Sequence, residues 1–190
     1  MGATSTATGN ALLPCGWSKT HGEWATSNAA HNTYNDPRSA SYYLTNVYTA
    51  TNETVFTRGF DLTAGVTYTF EFYYAGDGLT GWTGDVIYNT QQTVAGATVL
   101  GASFVSSATT TTANSYTLVS RTFTPSTNGR YFFGVRINAN GTPWYLGFDD
   151  FSLSAVVPCS GTPAPGNTVS SSASVVPGGT VNYCTCIDIF

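Results

Sequence analysis

Apolar and polar residues alternate with period two along most of this chain, and helical periodicity is almost absent. In VTYTFEFYY, Val66, Tyr68, Phe70, Phe72 and Tyr74 fall on one face, with Thr67, Thr69, Glu71 and Tyr73 on the other. In RYFFGVRI, Tyr131, Phe133, Val135 and Ile137 oppose Arg130, Phe132 and Arg136. Strands are also expected at Tyr42–Thr49, Thr54–Leu62, Gly84–Asn89, Thr98–Phe104, Tyr116–Thr124 and Tyr145–Val156. Turn signals separate them: Thr63-Ala64-Gly65, Ala75-Gly76-Asp77-Gly78, Pro125 to Gly129 and Asn138 to Pro143.

About eight strands joined by turns predict an all-β fold, an antiparallel β-sandwich whose two sheets bury their inner faces. An irregular N-terminal arm before the first strong strand points to jelly-roll topology. The sandwich domain is expected to span residues 1–157. Residues 158–190 are rich in Pro, Gly, Ser and Thr, with short strand candidates at Thr168–Val175 and Thr180–Tyr183. They read as a linker and the truncated start of a second β module, or as a strand that pairs with an exposed sheet edge.

Composition changes the picture in one respect. Charged residues make up 8% of the chain, against about 25% in an ordinary soluble domain. Thr, Ser, Asn and Gly solvate the surface instead. The net charge is −4 and the six Lys and Arg are scattered, so no basic patch awaits nucleic acid or an anionic membrane. No apolar run has the length of a membrane-spanning helix. The first residues lack a basic region and an apolar core, so Met1 is expected to mark a fragment boundary rather than a signal peptide. The four cysteines are Cys15, Cys159, Cys184 and Cys186. Spacing alone does not choose among their pairings. A disulfide such as Cys159–Cys184, in a secreted protein, is favoured over metal binding by the lone Cys184-x-Cys186.

The stretch GFDDFSLS poses a problem, because it places two carboxylates in a strand. Asp149 shares parity with Phe151, Leu153 and Ala155, so it is expected to point inward, with Asp150 on the other face. An inward carboxylate needs compensation from Arg, backbone N–H groups or a cation.

YLGFDDFSLS also resembles the closing strand of galactose-binding-like jelly rolls, among them many carbohydrate-binding modules and MAM-type domains. LLPCGW, followed by Trp24 in GEW, is similar to the N-terminal Leu-Pro-x-Gly-Trp … Trp of such domains in secreted Bacteroidota proteins. FTRGFDLTAGVTYTFEFYY is similar to their central strand pair. The resemblance covers about residues 11–157. PCSGTPAPGNTVSSSASV is similar to the start of Ig-like repeats found downstream of them, but Val-Pro-Gly-Gly stands where those repeats carry a Cys. The resemblance implies a structural Ca²⁺ with Asp149 as leading ligand. The N-terminal arm offers Glu23, Asn32, Asn35 and Asp36 as further oxygen donors. Gly9-Asn10 stands where the family often has a Glu ligand. The alternative is that Asp149 caps a turn or pairs with Arg38 or Arg58.

Catalysis finds little support. No G-x-S-x-G elbow or H-E-x-x-H occurs. Asp77, Asp85 and Glu71 are more readily polar residues at strand ends than a catalytic pair. Binding fits better, since sugars offer C–H faces to aromatic rings and hydroxyls to polar groups. Trp82, between glycines in GDGLTGWTGD, is expected to be exposed, and Trp144 and Tyr145 follow a turn. Tyr88 has outer-face parity, and Asn89 and Arg136 are candidate hydrogen-bonding partners. These residues point to an extracellular, non-enzymatic module at a cell surface or secreted, binding a glycan or acting in adhesion. A structural module in a surface fibre, pairing strands with copies of itself and binding no sugar, is the alternative.

Overall fold

The computed structural model describes residues 13–21, 24–28, 35–47, 52–139 and 144–155. The expected second module at 158–190, with Cys159 and Cys184, lies outside the described residues, as does Glu23. Among the described residues every element is a strand: β1 (Ser18–His21), β2 (Trp24–Ser27), β3 (Tyr43–Val47), β4 (Glu53–Phe56), β5 (Phe60–Leu62), β6 (Tyr68–Ala75), β7 (Trp82–Asn89), β8 (Thr98–Val99), β9 (Thr117–Phe123), β10 (Gly129–Ala139) and β11 (Tyr145–Ala155).

They form an antiparallel sandwich, as the alternation predicts, with eleven strands rather than about eight. One sheet runs β1-β4-β10-β7-β8, with β5 also paired to β10; the other runs β2-β3-β11-β6-β9. The N-terminal arm is therefore not wholly irregular. Its two short strands form one edge of each sheet.

The inner faces meet in an aromatic core. Phe70 stacks on Phe133 across the sheets at 4.8 Å, and Trp24 lies 5.1 Å from Phe148. Phe104, from the segment after β8, wedges against Phe72, Tyr74 and Trp82. Gly84 makes room for that ring, since a Cβ there would lie 2.1 Å from its Cζ. Strand β4 and parts of β7 are buried on both faces, so they do not alternate. On the outer face Phe56 and Ile87 flank Gly134, where a Cβ would come within 3.0 Å of both. The loop after β7 crosses β10, and the Gln92 amide donates to the Gly16 and Thr57 carbonyls at 2.7 and 2.9 Å.

Gly84→Ala is expected to displace Phe104 from three aromatic neighbours and to destabilise the sandwich by about 1–3 kcal/mol. Urea denaturation checks this as a lower midpoint at unchanged slope.

Candidate functional site

Strand β11 organises the site. Its register against β6 shifts between Asp149 and Ser152, and Asp150 has a φ of 52°. The left-handed residue marks a β-bulge, tolerated because a short Asp side chain visits this region more readily than most. The bulge reverses the parity. Leu146 and Phe148 face the core above it, and Phe151 and Leu153 face the core below it. Asp149 pairs with Tyr73 on the outer face, so the expectation that it points inward is corrected.

The segment 35–39 covers that outer position. Asp149 Oδ2 accepts the N–H groups of Arg38 and Ser39 at 2.8 and 3.1 Å, and Oδ1 accepts the N–H of Asp150 at 2.8 Å. Arg38 and the Ser39 hydroxyl both bond the Asp150 carboxylate, and the Arg38 guanidinium lies over the Tyr73 ring. Burial pushes the Asp149 carboxyl above the ordinary range, the three N–H groups work against that shift, and the Asp150 charge adds to it.

Among the described residues, the oxygen donors expected around a calcium ion are engaged within the protein; Asn32, like Glu23, lies outside the described residues. Donors already face both oxygens of Asp149. The Asn35 side-chain oxygen accepts the Asn114 N–H at 2.9 Å, and its amide donates to the Gly76 carbonyl at 3.0 Å. Asp36 is exposed, and its carbonyl accepts the Tyr116 hydroxyl at 2.7 Å. Among the described residues no three His, Cys, Asp or Glu side chains gather around a metal position. Compensation for Asp149 comes from backbone N–H groups.

The expected ligand residues separate. Trp82 is fully buried, an edge-on neighbour of Tyr74 and Phe104. The glycine-rich turn ends at Gly81, and Trp82 opens strand β7 on its core face, which corrects its expected exposure. Tyr88 also faces inward, 4.4 Å from Phe123. Arg136 donates Nε and Nη2 to Asp85 Oδ2 at 3.2 and 2.7 Å, and Ser103 donates to Oδ1. Asn89 binds the Thr93 and Ala95 carbonyls and so closes its own loop. Asp85, Glu71 and Asp77 occupy different surfaces and form no catalytic pair.

Trp144, the other tryptophan considered for a ligand, is 51% exposed. Asp77, on the turn after β6, holds it there. Its Oδ2 accepts the N–H groups of Trp144 and Tyr145 at 2.8 and 3.3 Å, while Oδ1 accepts that of Leu79 at 3.2 Å. One carboxylate thus fixes the backbone beneath two exposed apolar side chains, Trp144 and Leu79. The other three tryptophans are buried or partly buried.

No protein-family model matches this sequence, and no curated protein does. Solved structures match in fold. The K1 cleaved adhesin domain of Lys-gingipain from Porphyromonas gingivalis W83 is similar with a TM-score of 0.54 at 16% identity, over 78% of this chain and 94% of that one. The K2 domain gives 0.50 at 18%, over 77% and 92%. TmCBM61, solved with beta-1,4-galactotriose, gives 0.51 at 15%, over 73% and 88%. The shared feature is the jelly-roll sandwich.

Sequence reasoning missed a concavity, a cleft of about 650 Å³ between the sheets. Trp17, Tyr42, Phe60, Phe70, Phe151 and Leu153 line it, beside the part of β11 that β3 does not reach. Its lining is mainly apolar, and Asp149 and Asp150 at its rim are already engaged. The parity break at Asp149–Asp150 was the available signal, since a bulge marks where one neighbouring strand stops.

Two outcomes are expected for the clamp. Thermal unfolding of the wild type is the same with Ca²⁺ and with a chelator. Above the ordinary aspartate value, near 3.9, folded Asp149 retains a proton that the unfolded chain has released. Stability therefore falls as pH rises from there through the raised folded value. Asp149→Asn removes that part of the slope, measured by denaturation across acidic pH.

Proposed function

We propose that this chain is an extracellular, non-catalytic module that binds carbohydrate in an adhesive role, with Trp144 as its stacking platform. The observation that carries the reading is the exposed Trp144 ring on a backbone pinned by Asp77. An indole face matches the C–H face of a pyranose, and a ring fixed in advance loses little entropy on binding. Leu79 extends the apolar surface beside it, and neutral hydroxyl and amide side chains dominate the rest of the exterior.

The fold supports this reading. Sandwiches of the same architecture include adhesin domains and a module solved with a galactotriose. Other features fit as well. The carboxylates of Asp61, Asp77, Asp85, Asp149 and Asp150 are engaged by backbone N–H groups and arginines. No helix among the described residues is long and apolar enough to cross a membrane.

Glycan-array screening followed by calorimetry tests the proposal. Trp144→Ala is expected to weaken binding about tenfold or more while leaving the unfolding midpoint unchanged. Asp77→Ala, which keeps the ring but frees its backbone, should give an intermediate loss. Trp82→Ala should instead destabilise the fold by about 3–5 kcal/mol. No binding to any glycan, or binding indifferent to Trp144, would overturn the assignment.

A further inference from the structure

The two sheets end together on one flank, at β8 in one and β9 in the other. Arg121 of β9 ties them, donating Nη2 to the Ala102 carbonyl at 2.8 Å. Strand β9 has seven residues, TLVSRTF, and pairs with β6 along its whole length in unbroken register. Among the described residues no strand pairs with its other side. Its main-chain N–H and C=O groups there form an open edge.

Proteins ordinarily blunt such an edge with Lys, Pro, a bulge or a covering segment. This edge has no Lys, Pro or Gly and no bulge. From Val86 to Phe148 the sequence contains no acidic residue, and from Val86 to Gly129 its one charged residue is Arg121. That side chain is folded back, since its Nη1 donates to the Ser120 carbonyl at 2.8 Å. Two of the exposed large apolar residues border the flank, Val99 on β8 and Leu118 on β9.

We propose that this flank is a homodimer interface, in which β9 pairs antiparallel with β9 of a second copy. The occupant follows from charge. A twofold contact sets a surface against itself, which a charged flank forbids by like-charge repulsion and a neutral one allows. A partner chosen by charge finds nothing here to read. Pairing about Ser120 sets Ser120 of one copy against Ser120 of the other, and Leu118 of each against Thr122 of the other. The two Arg121 residues are then offset rather than opposed. The two five-stranded sheets become one continuous sheet across the pair.

The geometry has a functional corollary, which rests on the proposed glycan reading. Thr117 opens β9 opposite Tyr74, at the end of the sandwich where Asp77 holds Trp144. Antiparallel pairing therefore places the two Trp144 platforms at opposite ends of the joined sheet. Such a dimer bridges two glycan-bearing surfaces instead of gripping one twice.

Sedimentation of the full chain between about 10 μM and about 1 mM, where a small interface associates, tests the inference. A concentration-dependent monomer–dimer equilibrium is expected, with amide exchange at residues 117–123 slowing as the dimer fills. Leu118→Lys combined with Ser120→Lys, both on the exposed outer face, should abolish the dimer and leave the unfolding midpoint unchanged. A monomer throughout, or a dimer indifferent to the two lysines, overturns the inference. Glycan calorimetry alongside sedimentation of the wild-type chain separates the two readings. A monomer that binds glycan refutes the dimer alone, and a dimer that binds none refutes the glycan assignment alone.

Discussion

The rest of the molecule hangs on the carboxylate of Asp149. It accepts the backbone N–H groups of Arg38, Ser39 and Asp150, and so fastens the connection between β2 and β3 onto the outer face of β11. Once that segment is fixed, Asn35 sits where its amide reaches the carbonyls of Gly76 and Tyr145. Gly76 begins the turn that carries Asp77, and Asp77 holds Trp144. A chain of side-chain-to-backbone hydrogen bonds thus runs from the middle of the closing strand to the exposed indole. Hydrogen bonds to an ionised group are among the stronger ones available, and here they act on backbone, where they define position as well as energy.

Much of this architecture was legible in the sequence. Period two gave the long strands because each has one face on the core, as Phe70 and Phe72 show. The short arm strands were hidden because Ser18–His21 is mostly polar, and Trp24–Ser27 is buried on both faces and cannot alternate. Asp149 was misplaced because parity was carried back from Phe151 across a bulge. The bulge shows in the sequence as a change of parity between Leu146–Phe148 and Phe151–Leu153, and in the structure as the register shift and the backbone angle of Asp150. Trp82 was misread because four nearby glycines suggested a loop, whereas Gly84 serves to admit the Phe104 ring. Trp144 follows a turn at a strand's start and is half exposed.

The scarcity of charge takes on meaning once the partners are known. Arg38 serves Asp150 and Tyr73, Arg130 serves Asp61, Arg136 serves Asp85, and Arg121 caps carbonyls. These four arginines therefore act on the protein itself. Thr, Ser, Asn and Gln make up most of the remaining polar side chains. Recognition by such groups is short-ranged and little affected by salt, unlike recognition by unpaired charge.

The order of strands in space has a consequence for how the chain comes into being. The central strands, β10 and β11, are also the last two in sequence among the described residues. Until β11 exists, β3 and β6 have nothing between them, and their sheet is two unconnected pairs. Until β10 exists, β4 and β7 are likewise apart. During synthesis this sandwich cannot close progressively from its N-terminal strands. It must be held as an open chain, its aromatic strands exposed, until about residue 155 has emerged, and then close in one cooperative step with the slow kinetics of long-range pairing.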